Sequence, residues 1–134
     1  MEHEGTKDTK DLCEGLSSRV LGAAIRVHRE LGPGLLESSY EFCLFHELRS
    51  EKLPVARQVR VPLIYRGQRL DCGYRMDLLV AGLVVVEVKA IAAILPIHRA
   101  QMLTYLRLQH LWLGLVLNFN VEVLRVGINR VVNG

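Results

Sequence analysis

The chain has 134 residues, half of them apolar and 23% charged, with a formal net charge of +3. That length suits one hydrophobic core, the apolar content excludes a disordered chain, and no apolar run approaches the roughly 18 to 20 residues of a membrane span. A small positive charge selects no partner by itself, because folded domains carry as much for solubility.

The start, MEHEGTKDTK, is polar and lacks the apolar stretch of a signal peptide, so a cytoplasmic location is expected. Residues 1–10 are expected to form a flexible tail and residues 11–134 one domain. From residue 11 to 31, Leu12, Leu16, Val20, Ala23, Ala24, Val27 and Leu31 recur at helical spacing. Gly32, Pro33 and Gly34 stop that helix, and a second follows in LLESSYEFCLFHELRSEK, where Leu36, Tyr40, Cys43, Leu44 and Leu48 share a face. Cys13, Cys43 and Cys72 are odd in number and widely spaced, which indicates neither a disulfide framework nor a zinc knuckle. They read as small buried apolar residues.

The period then changes from 3.6 to 2. Val55 to Tyr65 alternates, Arg66 and Gly67 make a turn, a second strand is expected from about Gln68 to Val80, and a third from Leu83 to Ala90 after Ala81 and Gly82. Together these make an antiparallel meander. Arg57, Arg60, Arg66, Arg69 and Arg75 follow one another closely here, either as phosphate contacts or as a solvated strand face.

Pro96 stands near the start of a third helix. LWLGLVLNFN suits a strand covered on both faces, and VEVLRVGINRVV reads as a final, more exposed strand whose edge leaves a homodimer open. The order α, α, β, β, β, α, β, β describes a mixed α/β (α+β-like) layered fold.

Four charged side chains interrupt the apolar stretch RMDLLVAGLVVVEVKA, where burial is costly unless they find partners. With a three-residue loop around Gly82, Asp77 lies opposite Glu87, and Lys89 shares their face. With a two-residue loop, Asp77 faces Val86 and Glu87 points away. In the first register the two carboxylates repel unless one is protonated or a cation lies between them, and a hard divalent ion resolves the conflict. Such an ion with a lysine beside it is the outline of phosphodiester hydrolysis. A structural ion pair between an acid and Lys89 is the alternative. Five histidines offer no HExxH pattern, and Gly32-Pro33-Gly34 lacks the features of a phosphate loop; His98 reads first as a surface residue and second as a phosphate contact.

Asp77 followed by Glu87-Val88-Lys89 resembles the D…ExK signature of the PD-(D/E)XK nuclease superfamily, whose core is an antiparallel meander followed by a helix and another strand, the restriction-endonuclease-like fold. Gly34, Glu37 and Tyr40 in GPGLLESSY resemble the motif that names the GxxExxY protein family, a branch of that superfamily. The similarity continues through GYRMDLLV, VVEVKA, AQMLTYL, LGLVLNFN and GINRVVN.

This resemblance implies a nuclease using Mg²⁺ or Mn²⁺, held by Asp77 and Glu87, by the backbone carbonyl of Val88, and by Glu37 from the helix ahead of the sheet. It gives Lys89 the role of positioning water, and Gln101 and Tyr105, a QxxxY pattern, that of supporting the site. By spacing alone, Gln101 and Tyr105 read equally as a surface glutamine and a core tyrosine, and Glu37 as a match to the helix dipole. Met76 stands where the superfamily often has proline. DNA is the expected substrate and the five arginines its expected backbone contacts, with RNA and a non-catalytic binding or assembly module as alternatives.

Overall fold

In a computed structural model of the chain, which describes residues 6–134, two helices cover one face of a five-stranded sheet and a third covers the other. Helix α1 (Lys7–Leu31) starts four residues before Asp11, where apolar periodicity begins, because the Thr6 side chain accepts the Thr9 N–H at 3.1 Å and caps it. It ends at Gly32, whose φ of 69° allows its N–H to reach the His28 carbonyl at 2.7 Å. Helix α2 (Glu37–Ser50) packs back along α1 and is tied to it where Arg26 donates to Glu47 at 2.8 Å and to Glu51.

The sheet has the order β1 (Val55–Arg60), β4 (Arg75–Val80), β5 (Val84–Lys89), β6 (Leu113–Asn118), β7 (Ile128–Val132). Only β5 and β6 run parallel, linked by α3 (Pro96–Gln109), whose proline occupies the first turn. Strand β6 is buried at every position, as a central strand covered on both faces requires. Toward α1 and α2 the sheet presents Leu78, Val80, Val84, Val86, Val88, Leu113, Leu115 and Leu117, packed with Val20, Ala24, Tyr40 and Leu44. On the α3 face, Val85, Val116 and Val131 pack with Met102, Tyr105 and Leu106. Cys13 belongs to the first core, but Cys43 and Cys72 are exposed, contrary to their reading as buried residues.

The expected meander exists, but its first two strands are not continuous. The chain leaves the sheet after Arg60 and pairs β2 (Leu63–Tyr65) with β3 (Gln68–Leu70) in a separate two-stranded hairpin. Its turn has Arg66 at φ 50° and Gly67 at φ 77°, the double left-handed form that suits strand twist. The expected strand from Gln68 to Val80 breaks because Asp71 accepts the Gly73 N–H at 3.1 Å, a local turn that competes with extension. Strand β1 therefore pairs directly with β4, and the hairpin is an excursion between them.

The last expected strand is also divided. Leu124–Gly127 forms a 3₁₀ turn and only Ile128–Val132 is extended. At Gly127 the Asn118 carbonyl fills the space a Cβ would need. Among the described residues no helix is long and apolar enough to cross a membrane.

Two glycines give a graded test of this packing. A Cβ at Gly127 meets backbone, whereas one at Gly114 meets the Met102 thioether, the far end of a flexible side chain. Gly127→Ala is expected to destabilise by about 2 to 3 kcal/mol and Gly114→Ala by about 1 kcal/mol, read from urea unfolding midpoints.

Candidate active site

Strands β4 and β5 pair as Val80↔Val84, Leu79↔Val85 and Leu78↔Val86, which leaves a three-residue connection with Ala81 at φ 52° and Gly82 at φ 67°. The same register taken one step further sets Asp77 opposite Glu87. At that step side chains replace the backbone ladder. The Asp77 N–H donates to Glu87 Oε2 at 3.2 Å, and the Val88 N–H donates to Asp77 Oδ2 at 2.8 Å. The β4–β5 ladder stops where the two acids meet, and the Asp77 and Val88 N–H groups are each taken up by a carboxylate.

A second irregularity lies on the neighbouring strand. The β1–β4 ladder omits Gln58, the residue its register would set opposite Asp77, and Gln58 has φ 53°. Up to this point Leu78 packs in the core under α1 and α2; beyond it Met76 packs in the core under α3. Gln58 is held by its amide, which donates to both oxygens of Glu41 at 2.9 and 3.1 Å, while Arg57 donates to the same carboxylate at 2.9 Å. Glu41 is buried on α2, one turn after Glu37.

Glu87 is 7% exposed. Burial is the main cause of a pKa pushed up to about 9, followed by its hydrogen bond to and repulsion from Asp77; the Asp77 N–H and the Lys89 ammonium oppose the shift. Tyr105, buried on α3, is pushed up to about 12, first by burial and then by the charges of Glu87 and Asp77. Gln101 Nε2 donates to the Tyr105 hydroxyl at 3.0 Å. Asp77, Glu87, Lys89, Tyr105 and Gln101 thus form one electrostatically coupled group.

Glu37 stands beside this group. It is the first residue of α2, and its Oε2 accepts the Ala90 N–H at 3.0 Å, so it holds the end of β5. Among the described residues no three His, Cys, Asp or Glu side chains lie close enough together to share an ion, so Glu37 does not join the Asp77–Glu87 pair in this arrangement. Tyr40 sets the position of Glu37. Its hydroxyl donates to the Gly32 carbonyl at 2.5 Å and accepts the Leu35 N–H at 3.1 Å, pinning the corner before α2, while its ring stacks on Phe119 at 4.6 Å.

Past Lys89 the chain is fixed by Asn118, which accepts the Ile91 N–H at 3.1 Å and donates to the Ile91 carbonyl at 2.9 Å. The sequence marks Asn118 only as the end of an apolar run, and it marks Glu41 and Gln58 not at all. Their roles arise from contacts between elements distant in the chain. Of the five arginines, Arg57 donates to Glu41 and lies over the Phe42 ring, 4.0 Å away. Arg60 pairs with Asp71 at 2.8 Å on the surface, and Arg66, Arg69 and Arg75 are exposed.

A meander that carries an acid on one strand and Glu-x-Lys on the next, followed by a helix and a parallel strand, defines a restriction-endonuclease-like fold. The chain belongs to the PD-(D/E)XK nuclease superfamily, whose family model matches residues 14–131. No curated protein and no solved structure matches the chain. Members of this superfamily are typically nucleases and generally use divalent metals such as Mg²⁺.

The raised pKa of Glu87 has a consequence for stability. An acid whose folded pKa lies above its unfolded value contributes fully below about 4.5 and loses that contribution as pH rises toward about 9. Without divalent ions, thermal stability is therefore expected to fall between those pH values. Asp77→Asn keeps an oxygen for the Val88 N–H and gains an amide that can donate to Glu87. Its melting temperature at pH 8 without metal is expected to exceed that of the wild type by on the order of 4 °C, about 1 kcal/mol, in calorimetry.

Proposed function

We propose that the chain is a divalent-metal-dependent phosphodiesterase of the GxxExxY type that hydrolyses nucleic acid, with DNA as its substrate. The observation that carries this reading is the buried Glu87 held against Asp77 where the β4–β5 ladder stops, with Lys89 on the same strand. A structural ion pair would set an acid against a base. Here a buried acid and a half-buried one share a site, an arrangement that costs stability and that a cation between them would offset.

The donor set fits Mg²⁺ or Mn²⁺, which favour hard oxygen ligands and keep several waters. Asp77 and Glu87 would hold the ion with the Val88 carbonyl. When bound, it supplies a more acidic water and stabilises charge on a phosphoryl oxygen.

The remaining work falls to the protein's own groups. The Lys89 ammonium offsets the charge of Glu87 and orients water toward the phosphate. Tyr105, fixed by Gln101, packs beside the two acids and limits how far they relax. Glu37 holds the Ala90 N–H and so fixes the strand end carrying Lys89. Tyr40 and the corner from Gly32 to Leu35 place Glu37, which gives the Gly34, Glu37 and Tyr40 pattern a single structural task. Arg66, Arg69 and Arg75 are the backbone contacts in this reading.

The test is cleavage of labelled single-stranded, duplex and branched DNA, with RNA alongside, in Mg²⁺, Mn²⁺ or EDTA. Metal-dependent cutting is expected from the wild type, with activity lost in Asp77→Ala and at least about 100-fold lower in Lys89→Met. If no substrate is cut while wild type and Asp77→Ala bind nucleic acid equally, a binding module replaces the enzyme.

A further inference from the structure

An open groove of about 350 Å³ lies between the β2–β3 excursion and α3. One wall is Leu63 and Tyr74, which flank the β2–β3 excursion, and the other is the face of α3 that carries Ile97, His98 and Thr104. Gln101 and Tyr105 line it too, so the groove begins at residues already coupled to Asp77 and Glu87. Its volume is at the small end of ligand sites, suited to one nucleoside rather than to the edge of a duplex.

The surface chemistry matches a base. Tyr74 is 44% exposed and meets Tyr105 edge-on, with ring centroids 6.4 Å apart. Ile97, on the opposite wall, is 68% exposed. An aromatic ring and an aliphatic side chain across a slot can hold a flat heterocycle between them. His98 adds a polar edge. Its Nδ1 accepts the Leu95 N–H at 2.8 Å, so the neutral ring carries its proton on Nε2 and can donate. Arg66 and Arg69 on the adjoining hairpin are exposed, giving positive charge for the phosphates that accompany a base.

We infer that this groove is a nucleobase subsite that receives an unpaired base next to the scissile phosphate, which makes single-stranded or locally opened DNA the substrate. It rests on the nuclease reading for its position relative to the chemistry, but not for its ability to bind. A base enters only when it is out of the duplex stack, so the groove discriminates against intact duplex before any bond is cut.

The experiment measures binding and cleavage separately. Fluorescence anisotropy in Ca²⁺ compares a labelled single-stranded DNA hexamer, the same hexamer with abasic units at its centre, and a blunt duplex of that sequence. The intact single strand is expected to bind about 10-fold tighter than either of the others. Tyr74→Ala removes one wall and Thr104→Trp fills the groove from the exposed face of α3. Each is expected to bring the intact strand down to the abasic level, with abasic binding unchanged and the circular dichroism melt confirming a folded protein. Equal affinity for intact and abasic strands, duplex binding as tight as that of the single strand, or preference retained in both folded variants overturns the subsite. Cleavage in Mn²⁺ is scored on the same strands. Base preference without cleavage keeps the groove and removes the nuclease; cleavage without base preference does the reverse.

Discussion

Two carboxylates facing each other where the ladder of one hairpin stops constrain everything around them. Extended pairing would give the Asp77 and Val88 amides to backbone partners; instead the two acids take them. That exchange keeps the amides satisfied beyond the ladder. It leaves one acid buried against the other, and such an arrangement persists only because the surrounding structure holds it. Part of this support comes from β1, where Gln58 leaves the ladder opposite Asp77 and is gripped by Glu41. The rest comes from α3, which packs Tyr105 beside the pair, and from Glu37 and Asn118, which fix the chain just after Lys89.

The layers divide this labour. The face covered by α1 and α2 is apolar apart from a few buried polar groups, three of which have structural partners: Tyr40 on the glycine corner, His28 on the Val121 carbonyl at 2.7 Å, and Glu41 on Arg57 and Gln58. The face covered by α3 carries the groups whose ionisation is most displaced, Glu87 and Tyr105. The alternation of β4 exchanges faces at Asp77, between Leu78 and Met76. The acid thus lies where the strand is least regular.

The hairpin that brings Asp77 and Glu87 together was legible in the sequence because it is local. Ten positions, a glycine in the connection and alternation on both strands fix the register once the loop has three residues. The helices were legible for a similar reason, since their apolar periodicity and the Gly32–Gly34 corner act over short spans. Where turn chemistry competed with alternation, alternation misled. Asp71 and Gly73 end a run whose residues otherwise suit a strand, and in the last such run a 3₁₀ turn over Leu124–Gly127 replaces extension until Ile128. Arg57 shows the limit most clearly. Its spacing matched the other arginines, but Glu41, sixteen residues earlier, claims its guanidinium.

The β2–β3 excursion leaves the main sheet at Arg60 and rejoins it at Arg75, while β1 and β4 close over the gap by pairing with each other. No strand of the main sheet depends on it for a partner. The segment can therefore be lengthened, shortened or rewritten without disturbing the register that sets Asp77 against Glu87. The pairing is thus modular: the hairpin that sets the two acids together and the arm beside it hold their strands independently of each other.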